Sequence, residues 1–501
     1  MRWTTDNTFA AELPEFFVET APVPVAHPSL VVLNEPLARR LGLDPAELAS
    51  PAGVEVLAGN AIAEGARPLA QAYAGHQFGG FNPGLGDGRA HLLAEVIDVD
   101  GNRVDIALKG SGRTRFSRGG DGRAGVGPML REYVVSEAMA ALGVPTTRSL
   151  AVVRTGETVL RQPPQPGAVL TRVASSHLRV GTFELFRQAG DAELLWRLID
   201  YVRRRHYPEV AERDIEALLA AIVQRQAELI AAWMSVGFIH GVMNTDNMAL
   251  SGETIDYGPC AFMEGFDPNA VFSSIDHQGR YRYANQPSIA RWNLTRLAEM
   301  LLMTIEAPDA EQIDRIQGVL AEFDRRYELA WLRRFRAKLG LDGVDDDERS
   351  ELDQGLINEL LSLMATERLD FTATFRQLAE SLRSEPDASG TGASDPLLDV
   401  VVDRERYRSW RAGWLRRLGE RAEDAELSEI AAAMDRTNPL YVPRNHLVEA
   451  VLEAGVGGDL APLHALLDAL RHPFTERDGL DAFAAPAPRE FTDTYVTYCG
   501  T

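Results

Sequence analysis

Cysteine is almost missing from this chain: Cys260 and Cys499 are the only two among 501 residues. Two thiols cannot make the disulfide frame of a small secreted domain, and their spacing is neither C-x-x-C nor that of a zinc site. Long apolar runs are missing as well. No window reaches the ~18 apolar residues of a membrane span, and MRWTTDNTFAAELPEFF has no basic region followed by an apolar core. A soluble, cytoplasmic chain with no membrane partner is expected. Positive charge is the third shortage, with 51 Lys and Arg against 73 Asp and Glu and a net charge of -22. Such a field repels phosphate backbones, so nucleic acid is not expected as a partner. The densest basic run, RRRH at 203–206, lies in a helical pattern and reads as a solvated helix face. No internal repeat is visible.

The chain exceeds the usual size of one core, so two or three packed subdomains are expected. Up to residue 70, short apolar segments alternate with prolines around one helix signal, EPLARRLGL. AHLLAEVIDVDGNRVDIAL, 90–108, holds two β-rich runs about a D-G turn and predicts a hairpin. VGPMLREYVVSEAMAALGVP repeats its apolar residues at helical spacing and stops at Gly143 and Pro145. TTRSLAVVRTGETVLR then reads as a second hairpin. Sheet, one helix and more sheet is the order of a small nucleotide-binding lobe. Beyond 190 the helical period dominates, through DAELLWRLIDYVRRRHY, RDIEALLAAIVQRQAELIAAWMSVGFIHG, 289–383 and 402–470, while SEPDASGTGASDP at 384–396 has linker composition. The expected α+β division is an N-terminal extension and β-rich lobe over 1–185, a helical lobe over 186–383, a mobile loop over 384–399 and a helical C-terminal region over 400–501.

Three stretches carry chemistry. HGVMNTDNMALSGETIDYGP, 240–259, packs His240, Asn244, Asp246, Asn247 and Asp256 into two strand-like arms about SGE, which reads as a turn. Oxygen ligands converging from two arms suit a hydrated divalent cation, with a plain polar hairpin as the competing reading. LGDGRA, 85–90, follows GHQFGGFNPG. Its glycines let backbone approach an oxyanion and Arg89 adds a forked donor, unless Asp87-Gly88 is only a turn. ALKGSGRTRFSRGGDGRAG, 107–125, puts Lys109 at a strand end, within reach of phosphates, with Glu132 or Glu137 on the next helix as its partner. Arg113, Arg115, Arg118 and Arg123 gather there among glycines in an otherwise acidic chain, the composition of a polyphosphate clamp. In kinase-like enzymes a catalytic loop ends in a metal-binding Asn, and a later Asp-aromatic-Gly gives the second ligand. Asn247 and Asp256-Tyr257-Gly258 keep that order, but Val242 stands where the catalytic Asp of a kinase would be. His240 reads as structural, an anchor for backbone beside that loop.

GHQFGGFNPGLGDGRA, LKGSGRTRFSRGGDGRA, LREYVVSEAMAALGVPTTRSL, HGVMNTDNM, TIDYGPCAFME and NPLYVPRN follow one another in this order. Together they resemble the selenoprotein O family, also called the YdiU family, over nearly the whole chain. The resemblance implies a protein-kinase-like bilobal fold, a pseudokinase that binds its nucleotide flipped and transfers AMP from ATP to Ser, Thr or Tyr hydroxyls of proteins, releasing pyrophosphate. It places Gly86, Gly88, Arg89, Lys109, Asp121, Gly122, Arg172, Arg179 and Asp256 around the nucleotide, with Lys109 paired to Glu132 and Glu137 still open as the alternative. By the same resemblance, Asn247 and Asp256 hold Mg²⁺ or Mn²⁺, and Asp246 takes the hydroxyl proton. With the γ-phosphate among Lys109 and the arginines, the α-phosphate can face the acceptor. Uridylyl transfer, ordinary kinase chemistry and a nucleotide-binding scaffold are the competing readings. A scaffold has no need of Lys109, Asn247 and Asp256 together. Eukaryotic members of the family carry selenocysteine three residues from the C-terminus, the place of Cys499 in YCGT, and Cys260 follows the Asp256 segment directly. A Cys260–Cys499 disulfide is therefore one expectation and two free thiols the other. A monomer is expected.

Overall fold

Between Phe17 and Ala174 the alternation of side chains builds an antiparallel sheet. The computed structural model describes residues 2–187, 191–341, 347–383, 395–421 and 426–498. Its strands are β1 (Phe17–Glu19), β2 (Ser29–Leu33), β3 (Leu69–Gln71), β4 (Gly75–Gln77), β5 (Gly80–Asn82), β6 (Ala90–Ile97), β7 (Arg103–Lys109), β8 (Ala124–Gly125), β9 (Arg148–Val159), β10 (Gln165–Ala174), β11 (Phe238–Ile239) and β12 (Ala261–Phe262). The main sheet runs β1-β3-β6-β7-β10-β9-β2, with β8 beside β10. The D-G hairpin forms as β6 and β7, its turn closed by Asp98 Oδ1, which accepts from the backbone N–H of Asp100 and of Asn102 at 3.0 and 2.7 Å.

The second expected hairpin does not form. TTRSLAVVRTGETVLR contributes one long strand, β9, whose partner is β10. The RTGET segment that looked like a turn is a bulge: Arg154 faces Ala168 and Thr158 faces Pro166, so β9 spends extra residues there. Gly156 takes φ 71 within it, against His27.

The helix Val126–Ala141 crosses the sheet and ends at Gly143, which adopts φ 74. Gly143 N–H donates to Ala140 O at 3.1 Å and Val144 N–H to Met139 O at 2.9 Å, the two bonds of a Schellman stop. One face of this helix, with Met129, Leu130, Tyr133 and Val134, packs against Val448, Val451, Leu452, Leu463 and Leu466. The region 400–501 is thus folded back onto the sheet side through the helices Asn445–Gly457 and Ala461–Leu470. Within the segment 384–399 expected as a loop, Asp395 caps the helix Pro396–Val400. Residues 384–394 lie outside the described part.

Beyond residue 190 the long helices Ile215–Ser235, Gln286–Leu302 and Ala310–Lys338 pack around one apolar cluster. Among the described residues no helix is long and apolar enough to cross a membrane. The two arms of 240–259 do not pair with each other as the turn reading required. Thr245–Asn247 is a short 3₁₀ turn, Ala249 bridges to Arg179, and Thr254 bridges to Thr146. The strand pair that frames the loop is β11 with β12. Each arm is held by a different element because its backbone groups find partners there first.

The RRRH run also departs from expectation. Arg203 and Arg204 pair on the surface with Asp200 and Glu12, but the Arg205 side chain is only 4% exposed. It donates to Asp105 Oδ1 on β7 at 2.5 Å, to Glu95 on β6, and to the Ser175 carbonyl, tying the helix Ala192–His206 to the sheet. Burial pushes the Asp105 carboxyl up, but Arg205 and His177 outweigh it and hold it at about 2. Replacing Arg205 by Met is expected to cost about 3 to 5 kcal/mol at pH 7, because two buried carboxylates lose their cation. A depressed folded pKa contributes stability that is complete above the unfolded value and lost as pH falls toward ~2. Urea titrations of both proteins should therefore converge between about pH 4 and pH 2.

Candidate active site

The register of the sheet decides which basic groups meet. On the β7–β10 pair Lys109 lies across from Leu170 and Arg172 across from Ala107, so the period of two puts Lys109 and Arg172 on one face. The helix Val126–Ala141 covers that face and presents Glu132. Lys109 Nζ donates to Glu132 Oε2 at 2.6 Å and to Asp256 Oδ1 at 2.5 Å. The Arg172 guanidinium donates to Glu132 Oε1, from Nε at 2.8 Å, and to Asp256 Oδ1. Glu137, five residues on and about 140° around the helix, is taken by Arg148 at 2.8 and 2.5 Å and by Asn34. Lys109 is thus paired with Glu132 and not with Glu137.

Asp256 enters from the loop after the Ile255 carbonyl, to which buried His240 donates from Nε2 at 2.9 Å. Its φ of 64 is left-handed, a conformation that costs a residue with a Cβ roughly 1–2 kcal/mol. Burial pushes its carboxyl up, but Arg172, Lys109 and Arg179 together hold it well below the usual range. Arg179 Nη1 lies 3.7 Å from Asp256 Oδ2 and donates to the Asp246 carbonyl at 2.9 Å, while its guanidinium rests on the Tyr73 ring. One carboxylate is therefore surrounded by three cations.

Asp246 is in the opposite condition. Burial pushes its carboxyl up to about 6, against the pull of Arg179. Oδ2 accepts from Gln77 Nε2 at 3.4 Å, and Oδ1 is buried with no hydrogen-bond partner. Asn247 donates from Nδ2 to the Val242 carbonyl at 3.0 Å, and among the described residues no hydrogen bond to its Oδ1 is seen. Asn247 Oδ1 and Asp256 Oδ2 are two oxygens of the kind a hard divalent cation takes, and the rest of such an ion's shell would have to come from substrate and water. Among the described residues no group of three acidic, His or Cys side chains is gathered to hold a metal by itself.

Gly86, Gly88, Arg89, Asp121 and Gly122 lie on two stretches of chain that flank Lys109 in sequence and touch each other. The loop 110–123 folds over 86–89, and a Cβ on Gly86 would lie 2.5 Å from the Phe116 ring. Gly110 N–H donates to the Arg89 carbonyl at 2.8 Å, and Arg89 Nη1 is buried with no hydrogen-bond partner, a donor lacking an acceptor. A Cβ on Gly122, at φ 68, would lie 2.2 Å from the Gly112 carbonyl. Asp121 is engaged by Arg161 through both oxygens, at 2.8 and 3.0 Å, which holds its carboxyl at about 2. Arg123 is likewise occupied, by the carbonyls of Val23 and Pro24, whereas Arg113, Arg115 and Arg118 are exposed. A cleft of about 840 Å³ lined by Arg40, Asp98, Arg148, Arg225 and Glu253 shares no residue with this cluster.

Three cations surround an ionised Asp, and one of them, Arg179, also reaches the backbone of a second Asp with a bare oxygen. The family model described as Protein adenylyltransferase SelO matches residues 2–471. The chain belongs to the SelO family. It is 52% identical over 504 residues to a protein of Cereibacter sphaeroides named protein nucleotidyltransferase YdiU, covering all of both chains. A Rhodopseudomonas palustris protein of the same name is 53% identical over 499 residues, covering 99% of each chain.

In this SelO-family chain, sequence reasoning missed several residues of the cluster. Tyr73 lies beneath Arg179, Arg161 neutralises Asp121, and Glu184 receives hydrogen bonds from His76 and Thr245. Only GHQFGG, next to a motif already singled out, offered a signal. Replacing Glu132 by Gln is expected to weaken nucleotide binding, read with ATP as the probe, by about 10- to 100-fold, since a charged hydrogen bond is worth ~1.5–3 kcal/mol. Glu137→Gln should lower the thermal midpoint and leave the calorimetric Kd for ATP unchanged.

Proposed function

We propose that this chain is a protein adenylyltransferase with a protein-kinase-like bilobal arrangement, moving AMP from ATP to Ser, Thr or Tyr hydroxyls of protein substrates. The observation that carries the proposal is the contrast between the two aspartates. Asp256 is kept ionised by Lys109, Arg172 and Arg179, as a metal-side ligand must be. Asp246, buried and with Oδ1 unpartnered, is suited to accept a proton. Val242 offers only its backbone carbonyl, so the proton acceptor is Asp246 rather than a residue in the kinase position.

The acceptor oxygen attacks the α-phosphorus. A new O–P bond forms, the bond from the α-phosphorus to the α,β-bridging oxygen breaks, and pyrophosphate leaves with that electron pair. The hydroxyl proton passes to Asp246 Oδ1. Lys109, Arg172 and Arg179 bind and orient the anionic phosphates, and Arg89 Nη1 adds a donor. A bound Mg²⁺ or Mn²⁺, held by Asn247 and Asp256, supplies Lewis-acid charge neutralisation on the phosphates.

ATP labelled separately at the α- and γ-phosphate tests the reaction class: only the α label is expected on protein. Transfer of the γ label instead would make the chain a kinase, and incorporation of UMP in preference to AMP, read by intact mass, would make it a uridylyltransferase. Asp246→Ala should lower transfer by ~10²- to 10⁴-fold with nearly unchanged ATP affinity, whereas Asp256→Ala should abolish both transfer and metal-dependent binding. Equal loss of ATP affinity in the two variants contradicts the division of roles.

Redox control is the second part of the proposal. Thr497 Oγ1 donates to the Pro259 carbonyl at 2.7 Å, and Thr497 N–H donates to Phe272 O, which brings the tail beside Cys260. Cys499 itself lies outside the described residues. Burial pushes the Cys260 thiol up to about 12, so it reacts slowly with oxidants such as hydrogen peroxide. Oxidation should lower transfer to large protein substrates and thiol reductant should restore it, with Cys499→Ser insensitive to both. Non-reducing peptide maps of oxidised protein that return both thiols free would remove this part.

A further inference from the structure

The β4–β5 hairpin, the GHQFGGFN segment, stands apart from the main sheet and against the loop that carries Asp246. It is bonded to that loop one residue at a time. Phe78 N–H donates to Asn244 Oδ1 at 3.1 Å, His76 N–H donates to Thr245 Oγ1 at 2.7 Å, and Gln77 Nε2 donates to Asp246 Oδ2 at 3.4 Å. Three consecutive hairpin residues thus meet three consecutive loop residues. The outer two contacts are themselves braced. Tyr281 OH also donates to Asn244 Oδ1, at 2.6 Å, and Thr245 Oγ1 donates to Glu184, whose other oxygen meets His76 Nδ1. The Glu184 side chain is fully buried, and the His76 ring is packed by Phe81 and Trp292 at 5.1 and 5.3 Å between centroids. Gly75 permits the approach, because a Cβ there would sit 3.2 Å from Asp246 Oδ1 and 3.1 Å from Thr245 Oγ1.

Anchored on both sides, Gln77 has little freedom, and its amide is the only side-chain donor to the Asp246 carboxyl among the described residues. The Gln77 amide, 3.4 Å from Oδ2, favours one orientation of the carboxyl and with it one direction for Oδ1. We infer that Gln77 is a positioning residue for Asp246, and that the hairpin sets the direction from which an acceptor hydroxyl is deprotonated. The inference rests on the reading of Asp246 as the base. It also accounts for a hairpin that adds little to the main sheet yet carries a buried His, paired with the buried Glu184, and a glycine in contact with the loop.

The test is a double-mutant cycle on the full chain, using Gln77→Met, which keeps the length and removes the donor, in the wild-type and Asp246→Asn backgrounds. Rates come from single turnovers with α-labelled ATP, and Kd for ATP from calorimetry. In the wild-type background Gln77→Met is expected to lower kcat roughly 10- to 100-fold, the scale for misplacing a catalytic group, with KM and Kd for ATP changed by less than about twofold. In the Asp246→Asn background the same substitution should change the residual rate by less than about threefold. An equal factor in both backgrounds, or a loss of ATP affinity matching the loss of rate, overturns the inference. Asp246→Asn that transfers at the wild-type rate removes the base reading and this inference with it. If Asp246→Asn is slow while Gln77→Met is not, the base reading stands and the positioning role alone fails. Should Gln77→Met not fold, Gln77→Glu, which replaces the donor with a carboxylate, takes its place in the cycle under the same criteria.

Discussion

Everything around the site depends on keeping the partly exposed Asp256 carboxylate ionised among the buried side chains of Lys109, Arg172 and Arg179. Its three cations come from separate parts of the chain: Lys109 from the end of β7, Arg172 from β10, and Arg179 from just before a helical turn. Glu132, from the helix laid across the sheet, balances the first two. A buried ion cluster of this kind contributes little net stability, because desolvation offsets most of the attraction. Removing one member, however, leaves charges uncompensated. The cluster therefore acts on geometry: sheet, helix and loop must arrive together or the arrangement is costly.

The supports of this cluster reach far along the sequence. The helix with Glu132 is pressed onto the sheet by helices from beyond residue 440, through Leu130, Tyr133, Val451 and Leu466. Arg444, 1% exposed, pairs with Glu264 and Asp370, and Asn445 next to it bonds both backbone groups of Phe262 in β12. The C-terminal region thus holds both sides of the Asp256 loop. Loss of packing there would reach the site through the helix, without any direct contact to a substrate. Arg205 does similar work on the far side, joining a helix to β6 and β7.

The proposed chemistry needs two carboxylates in different states, and environment alone sets Asp246 and Asp256 apart. Asp256 is surrounded by cations and held ionised, whereas Asp246 is buried beside a single guanidinium whose hydrogen bond goes to its backbone carbonyl. Arg89 Nη1 and Asp246 Oδ1 are both buried and unbonded in the protein alone. Such groups are costly unless a partner arrives. In the proposed reaction the open donor suits an anionic nucleotide and the open acceptor suits the hydroxyl of a second substrate.

Local pattern was enough for much of this. The β6–β7 hairpin, the helix that stops at Gly143, Lys109 at a strand end, and the order Asn247 then Asp256-Tyr257-Gly258 were all legible, because spacing and turn chemistry act between near neighbours. Six ordered segments were enough for the family. What sequence could not decide was which partner each group would choose. Glu132 and Glu137 lie on different faces of one helix, and only the packed sheet determines that Lys109 meets the first and Arg148 the second. RTGET has turn composition yet becomes a bulge, because β10 offers its neighbours a ladder. The arms about SGE look like a hairpin, but Arg179 and Thr146 capture their backbone groups. Arg205 in an exposed-looking run is buried by two carboxylates some hundred positions away. Sequence by itself set the elements and the reactive groups; tertiary structure decided the pairings, since hydrogen bonds and charges select partners by distance in space.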